Sequence, residues 1–461
     1  MKLKTSNLPF VLVFISSLIP MACSLFNIPS IVTTPGLIFA AWGLSCLSLR
    51  DGRAVILSKH SAWAAFLAFL LLINIVTDRG FVILAAGGYI LIFTFIFYDQ
   101  LLTGVGASAQ TIVSGISFLY KFYIMGMLVE TVVIVLGKQP LLAELFNSVS
   151  SWKYKTYNPA DVAHLIGLFS WEAGGLNSVL LGSQIAGMLS LFAFIWFIGT
   201  KYSGLGEIKV ERSKLWSALS FAVLLIALNN TVFMMLVLAV IIYYLFIKQK
   251  QKLMFLIVMG LLFVSLYFLA AQGVLFGRTF SADNLVSAND VRGFSNGKEL
   301  VGATRTELSL YIYFQPVLIW LSQDWLSKMI GVGAQYFRTT ALDIPTDFGF
   351  FVDVVLKAGL IWAIIFVVTL LVICVPSLKL PKSGSAAQQQ WARLRSINAL
   401  ISLLWLFSTL HYNQAMQNPP AIMLFALHLA LVLYCDRRYR SLACNHEGKN
   451  CGQAGEGVRA I

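Results

Sequence analysis

The chain has 461 residues, of which 58% are hydrophobic and only 11% are charged, whereas roughly a quarter of the residues in a soluble domain are charged. Its mean hydropathy of +0.80 indicates more apolar surface than one water-soluble core can bury, which argues against a soluble enzyme and excludes a disordered or collagen-like chain. A formal net charge of +13 is typical of a protein that binds a polyanion such as nucleic acid. It is equally typical of a membrane protein whose lysines and arginines lie mainly in its cytoplasmic segments. The positions of the charges decide between the two.

Twelve apolar segments, each near the length that crosses a bilayer, follow one another along the chain. They cover residues 8–26, 30–49, 62–77, 81–97, 111–136, 176–198, 215–229, 231–247, 253–275, 351–375, 397–411 and 421–435. The pattern predicts an all-α polytopic membrane protein with about 12 transmembrane helices, in which residues 1–461 form a single membrane domain.

The lysines and arginines alternate between the connecting segments as the positive-inside rule requires. With the N-terminus placed in the cytoplasm, 21 of them fall in inside segments, 10 in outside segments and two, Lys121 and Lys357, within spans. We therefore expect both termini in the cytoplasm and residues 436–461 to form a cytoplasmic tail. The charge then follows from topology and attraction to anionic lipid headgroups, so we expect no nucleic-acid partner.

Two connections on the predicted outer side are long, residues 137–175 and residues 277–350. Long loops in a compact protein more often carry function than short ones. Within the second loop, residues 307–330 read as an amphipathic helix, whose apolar stretch, residues 308–321, is too short to span a bilayer. Trp320 and Trp325 suit the headgroup boundary, and Pro316 predicts a kink.

Four arginines lie in the large outer loop, against the usual charge bias: Arg278, Arg292, Arg305 and Arg338. A guanidinium group binds phosphate and carboxylate oxygens with two parallel hydrogen bonds, so the loop is expected to bind an anionic substrate. Ion pairs with the acidic residues of the same loop are the alternative for any one of them.

Two carboxylates precede predicted spans on the outer side, Glu172 with His164 nearby, and Asp347. Either one could act as a general base toward a sugar hydroxyl, and either could cap a helix N-terminus. In the last outer turn, His411 and Asn413 face the same compartment. Glu130 lies inside a predicted span with no partner on its own helix face, and Lys121 can extend toward the cytoplasmic edge.

Several stretches resemble the Wzy-type polysaccharide polymerase and O-antigen ligase superfamily. The sequence Arg305-Thr-Glu-Leu-Ser-Leu-Tyr, followed by Ile330-Gly-Val-Gly333, Thr346-Asp-Phe-Gly-Phe-Phe351 and Gly359-Leu-Ile, is similar to the closing region of those proteins. Ile166-Gly-Leu-Phe-Ser-Trp-Glu172 is similar to the family's Gly-Leu-Phe-Ser-Glu-Pro stretch. Asp347 or Phe348 stands where ligases carry His, which favours a polymerase.

This chain also departs from the family pattern. Asn229-Asn-Thr231 stands where many members have Ser-Arg, and His164 stands where others have Arg.

The resemblance implies a metal-independent, inverting glycosyltransferase without a cofactor, in the inner membrane of a bacterial cell. Its donor would be a glycan on undecaprenyl diphosphate, which it would polymerise into O-antigen or exopolysaccharide on the periplasmic face. A chain-length regulator and a flippase are the protein partners to expect. The four loop arginines, His164, His411 and Asn413 would bind substrate, and Glu172 or Asp347 would take the acceptor proton.

Three other functions stay open from the sequence. A ligase would transfer the finished glycan to a lipid A core, and a flippase would move lipid-linked oligosaccharide across the membrane. A non-catalytic assembly subunit is the third. A transporter commonly shows duplicated halves and charge in a central cavity, whereas here the polar residues concentrate in one outer loop, which favours an enzyme.

Overall fold

A computed structural model describes residues 7–15, 102–103, 106–135, 182–202, 210–226, 230–243, 317–331, 355–356, 359–381, 383–411 and 419–446. Their regular structure is helical, which confirms the predicted all-α class. The helices are α1 (Ala109–Val135), α2 (Gly182–Tyr202), α3 (Ser213–Ile226), α4 (Asn230–Ile242), α5 (Trp325–Ile330), α6 (Leu360–Ser377), α7 (Ala386–His411) and α8 (Pro419–His446). Residues 8–15 and 317–322 are also helical.

Two described helices are long and apolar enough to cross a membrane, Ala109–Val129 within α1 and the whole of α6. Ala186–Lys201 and Ser213–Leu225 are apolar but shorter. The predicted spans at 30–49, 62–77, 81–97 and 253–275, the first outer loop and most of the second lie outside the described residues.

α6 is apolar on both of its faces. One face buries Trp362, Phe366 and Leu370 at helical spacing, against a bundle that includes α7 and α8. The other face exposes a parallel stripe of aliphatic side chains, in which Val368 is 49% and Val372 is 65% accessible. A surface helix of a water-soluble protein carries polar residues on that side. The exposed apolar stripe is therefore further evidence for a hydrocarbon environment, in addition to the length of α6.

The antiparallel pair α7 and α8 forms the most extensive contact between described helices, and α2 with α3 the next. Small and aliphatic side chains of α8 are buried along its predicted apolar segment, and Trp405 of α7 stacks on Phe425 of α8 with ring centroids 3.9 Å apart. α6, α4, α2 and α1 pack against α7. The hydrophobic core therefore centres on α7.

α7 begins before the predicted start of its span at residue 397. Ser385 and Gln388 form a reciprocal cap, in which the Gln388 N–H donates to Ser385 Oγ (3.3 Å) and the Ser385 N–H donates to Gln388 Oε1 (2.7 Å). This S-x-x-Q capping box satisfies backbone donors at the first turn and starts the helix at Ala386. The predicted span begins at residue 397 because hydropathy detects only the apolar part of the helix and not its polar, capped first turns.

α8 continues past the predicted end at residue 435 to His446, so the first part of the predicted tail is helical. Arg395 of α7 holds this region to α6. Its guanidinium pairs with Asp436 of α8 (2.5 Å) and donates to the carbonyl oxygens of Ser377 (3.3 Å) and Lys379 (2.9 Å). Those carbonyls lie at and after the C-terminus of α6, where a cation is favoured. One side chain thus joins three helices.

Replacing Arg395 by Ala should destabilise the protein by about 2 kcal/mol, because it leaves Asp436 with one partner fewer and two carbonyl groups without their donor. The measurement is the thermal unfolding midpoint of the detergent-purified protein. Arg440→Ala is the matched control, since Arg440 pairs with the same carboxylate but is 76% exposed and should contribute less than about 1 kcal/mol. Equal midpoints for the two variants would contradict this assignment.

Candidate functional site

The residues predicted to act on substrate fall almost wholly outside the described part of the chain. These are Glu172, Asp347, Arg278, Arg292, Arg305, Arg338, His164 and Asn413, and the side chain of Glu130 belongs with them. His411 is described only as the last residue of α7. Their roles therefore stay predictions. Two regions of the structure are described near the predicted site or inside the bundle: residues 317–330, which belong to the predicted large outer loop, and a buried polar cluster.

The predicted helix over residues 307–330 is not continuous. In its described part, residues 317–322 are helical, the chain bends at Gln323, and α5 begins at Trp325. Asp324 causes the break because it is a helix N-cap: it accepts from the Ser327 N–H (3.0 Å) and from Ser327 Oγ (2.5 Å). We call residues 317–330 the helix pair. The predicted end at Ile330 agrees with the structure.

The two bonds from Ser327 hold the pKa of the Asp324 carboxyl below its usual range, the side-chain bond being the larger cause. Hydrogen bonds to the charged form favour it. A lowered folded pKa means that this cap stabilises α5 above the ordinary carboxyl pKa and loses its contribution as the pH falls through the folded pKa. The cap is therefore present at neutral pH.

The helix pair is fixed to the start of α6. Gly359, immediately before α6, lies against the carbonyl oxygen of Met329, and a Cβ built on it would be 2.5 Å from the carbonyl carbon of Ile330. Trp320 is half-buried, packs against the core, and donates its Nε1–H to the Lys328 carbonyl oxygen (3.3 Å). The pair therefore folds back on itself and contacts the bundle.

The other side of the helix pair is apolar and exposed. Leu318 is 58% and Trp325 71% accessible, and Leu321 and Leu326 are similar. Clustered exposed leucine and tryptophan beside a membrane-length helix are typical of residues in contact with the bilayer interface. The helix pair is therefore divided in two and apolar on its exposed side, and its place in an outer loop stays a prediction.

A second region is a cluster of polar side chains in the bundle, centred on His428 of α8. Tyr120 of α1 contacts His428 Nε2 through its hydroxyl (2.7 Å), and Asn398 Oδ1 of α7 contacts His428 Nδ1 (2.7 Å). The ring of Trp196 from α2 meets the imidazole edge to face, and its Nε1–H donates to Ser117 Oγ (3.0 Å). All five side chains are buried, so the cluster joins four helices.

The bonds assign the proton positions in this cluster. Asn398 Nδ2 donates to the Leu394 carbonyl oxygen (2.7 Å), so Asn398 Oδ1 faces His428 and can only accept. His428 Nδ1 must therefore carry the hydrogen, and the Nε2 of a neutral imidazole accepts from the Tyr120 hydroxyl. Both ring nitrogens are engaged by protein groups. This arrangement fixes the relative register of α1, α7 and α8 and suits a structural role better than substrate contact.

His428 was not singled out from the sequence, although an imidazole in an otherwise apolar predicted span is a visible signal. Its partners could not be inferred, because they come from distant helices. Lys121 was expected to extend toward the cytoplasmic edge; its Nζ lies 5.5 Å from the centroid of the Trp216 ring in α3. That contact gives Lys121, which belongs to a predicted span, a favourable cation–π interaction.

The chain was compared with protein-family models, curated proteins and solved structures, and none of them matches it.

Tyr120→Phe should lower the stability of the purified protein by about 1 kcal/mol, because His428 Nε2 loses its donor inside the bundle. The measurement is the unfolding midpoint in detergent. Tyr439→Phe is the control, since it removes a hydroxyl near the end of α8 and keeps the ring 5.0 Å from the Arg395 guanidinium. If Tyr120→Phe unfolds at the wild-type temperature, the cluster does not stabilise the bundle.

Proposed function

We propose that this chain is a bacterial inner-membrane glycosyltransferase with about 12 spans and cytoplasmic termini. It polymerises undecaprenyl-diphosphate-linked repeat units into O-antigen or exopolysaccharide on the periplasmic face. One structural observation carries the proposal: the helix pair of the large loop contacts the start of α6 and exposes leucine and tryptophan side chains beside it. This exposed apolar side supports a position at the bilayer interface, where the diphosphate of a lipid-linked glycan is located.

The exposed aliphatic stripe of α6 supports a membrane location. Because the opposite face of α6 is buried against the bundle, the stripe needs an apolar medium outside the described helices. α1 has a comparable exposed face, which includes Phe118, Met125 and Val129. Both helices belong to predicted spans, and both satisfy the length requirement.

The helix pair supports the proposed place of the reaction. It begins about a dozen residues after Arg305 and ends shortly before Arg338 in the sequence, so it separates two of the proposed diphosphate ligands. Its apolar side favours the bilayer interface, whereas the arginines flanking it favour an anion. A polyprenyl diphosphate has both properties, an apolar chain in the bilayer and a charged group at its surface.

The proposed chemistry needs positioning and charge more than a reactive cofactor. The acceptor hydroxyl oxygen attacks the anomeric carbon of the donor glycan, the bond from that carbon to the diphosphate oxygen breaks, and the configuration inverts. Glu172 or Asp347 takes the hydroxyl proton, and the loop arginines Arg278, Arg292, Arg305 and Arg338 stabilise the diphosphate that leaves. His164, His411 and Asn413 bind the glycan. The resemblance to the polymerase and ligase superfamily supports this assignment of roles.

Replacing Arg305 or Arg338 by Ala should leave the amount of inserted protein unchanged and reduce long glycan chains by at least tenfold, because each guanidinium stabilises the leaving diphosphate. The measurement is the ladder of glycan lengths on a gel, with the protein quantified in the same membranes. Arg212→Ala is the matched control. Arg212 is exposed, lies in a predicted cytoplasmic segment and has a φ of 55°, which Ala adopts at the same steric cost as Arg.

Normal ladders for alanine variants of all four loop arginines would contradict the proposed role of the loop. A loss of long chains in the Arg212 variant as large as in the loop variants would show that the assay reports general damage.

The ligase and flippase alternatives make different predictions for a strain that lacks the protein. We expect that strain to attach a single repeat unit to the lipid A core, because ligation and transport continue without polymerisation. A core without any repeat unit, together with lipid-linked polymer in the membrane, would instead identify a ligase. Absence of lipid-linked units from the outer leaflet would identify a flippase. The measurement combines gel analysis of the core with labelling of outer-leaflet glycans.

A further inference from the structure

Two glycines with unusual backbone conformations lie on the two sides of the contact between the helix pair and α6. Gly331 ends α5 with φ 85° and ψ 161°, and Gly359 precedes α6 with φ 96° and ψ 157°. A side chain strongly disfavours this region of backbone space, and it is populated almost only by glycine. Each glycine also donates its N–H to a helical carbonyl, Gly331 to Ser327 (2.8 Å) and Gly359 to Val355 (3.0 Å).

Gly359 is needed for space as well as for conformation. Its missing side chain leaves room for the backbone of Met329 and Ile330, where a Cβ would be 2.5 Å from the Ile330 carbonyl carbon and 2.6 Å from its Cα. The obstructing atoms are backbone, so a flexible side chain cannot move aside to relieve the overlap. A residue larger than glycine must therefore separate α5 from α6.

This contact joins the two ends of one chain segment. Residues 332–358 connect the end of α5 to the start of α6 in the sequence, and the contact at Gly359 holds those two helix ends together. The segment includes Arg338 and Asp347 in its sequence. Fixing the ends of a loop reduces the conformational entropy that must be lost when its side chains bind a ligand.

We propose that Gly359 is a positioning residue for the polymerisation reaction. It seats the helix pair on α6 and thereby sets the origin of the segment that carries Arg338 and Asp347. This inference rests on the proposed function for the roles of those two residues. The seating itself is a property of the protein alone and can be measured without any substrate.

The first measurement is trypsin cleavage after Lys328 in the full-length protein reconstituted in nanodiscs, followed by mass spectrometry. The Lys328–Met329 bond is adjacent to the Gly359 contact, so cleavage requires local opening of α5. Gly359→Ala should raise the cleavage rate at Lys328 at least tenfold. Gly126→Ala is the matched control, because Gly126 lies within α1 and a Cβ there meets nothing within 4 Å; its rate should equal that of the wild type.

A second variant tests the contact from its other side. Gly331→Ala should also accelerate cleavage, and the double variant should be no faster than the faster single variant, because both substitutions release the same contact. If Gly359→Ala does not insert, hydrogen exchange of the wild-type peptide 325–331 decides the question. Protection of these amides supports the seating, since an unsupported six-residue helix would exchange freely. Wild-type cleavage rates in Gly359→Ala, or unprotected amides, would overturn it.

The last measurement links the seating to the reaction. At equal protein levels, Gly359→Ala should shorten the glycan ladder at least fivefold, whereas Gly126→Ala should not. Faster cleavage at Lys328 with a normal ladder would overturn the positioning role and leave the proposed function intact. The proposed function fails independently, if alanine variants of the loop arginines keep long chains while Gly359→Ala still exposes Lys328.

Discussion

Polar groups buried among apolar helices must find partners inside the protein, and the packing of the described helices depends on a few side chains that do so. Arg395 donates to the Ser377 carbonyl oxygen at the end of α6 and also pairs with the carboxylate of Asp436. His428 is engaged at both ring nitrogens by Tyr120 and Asn398. Aliphatic contacts alone permit neighbouring helices to slide, whereas these bonds fit at only one register. They set which helix faces meet and at what height.

This arrangement separates two tasks along the molecule. The hydrogen bonds of Arg395 and of His428 lie within the bundle formed by α1, α2, α6, α7 and α8. The polar atoms of both side chains bind other groups of the protein. The helix pair has the opposite character: its contact with α6 depends on the absence of a side chain at Gly359, and its remaining surface is open and apolar. Among the described helices, buried polar groups that are paired with one another support the proposed reaction at the membrane surface more than the flippase alternative.

The sequence predicted the helices whose ends coincide with the ends of apolar runs. α1 agrees with the predicted span 111–136 and α3 with 215–229 to within a few residues, because charged or turn residues follow each run. α7 and α8 extend further, since a capping box at Ser385 and an ion pair at Asp436 stabilise polar helical turns that hydropathy cannot detect. The break at Asp324 had a local signal too, an N-cap residue inside an apparently continuous amphipathic pattern.

Tertiary contacts account for what the sequence could not predict. Tyr120 and His428 are distant in the chain, and nothing in either segment specifies that their side chains meet. Gly359 could be noticed as part of a motif, but a motif does not distinguish a glycine needed for flexibility from one needed for close approach. The backbone of Met329 and Ile330 against Gly359 makes that distinction: the glycine conformation is fixed by contact on one side and by the start of α6 on the other. A glycine held in this way restricts the chain, and such a restriction favours the role proposed for the loop, which is to place charged groups on a diphosphate.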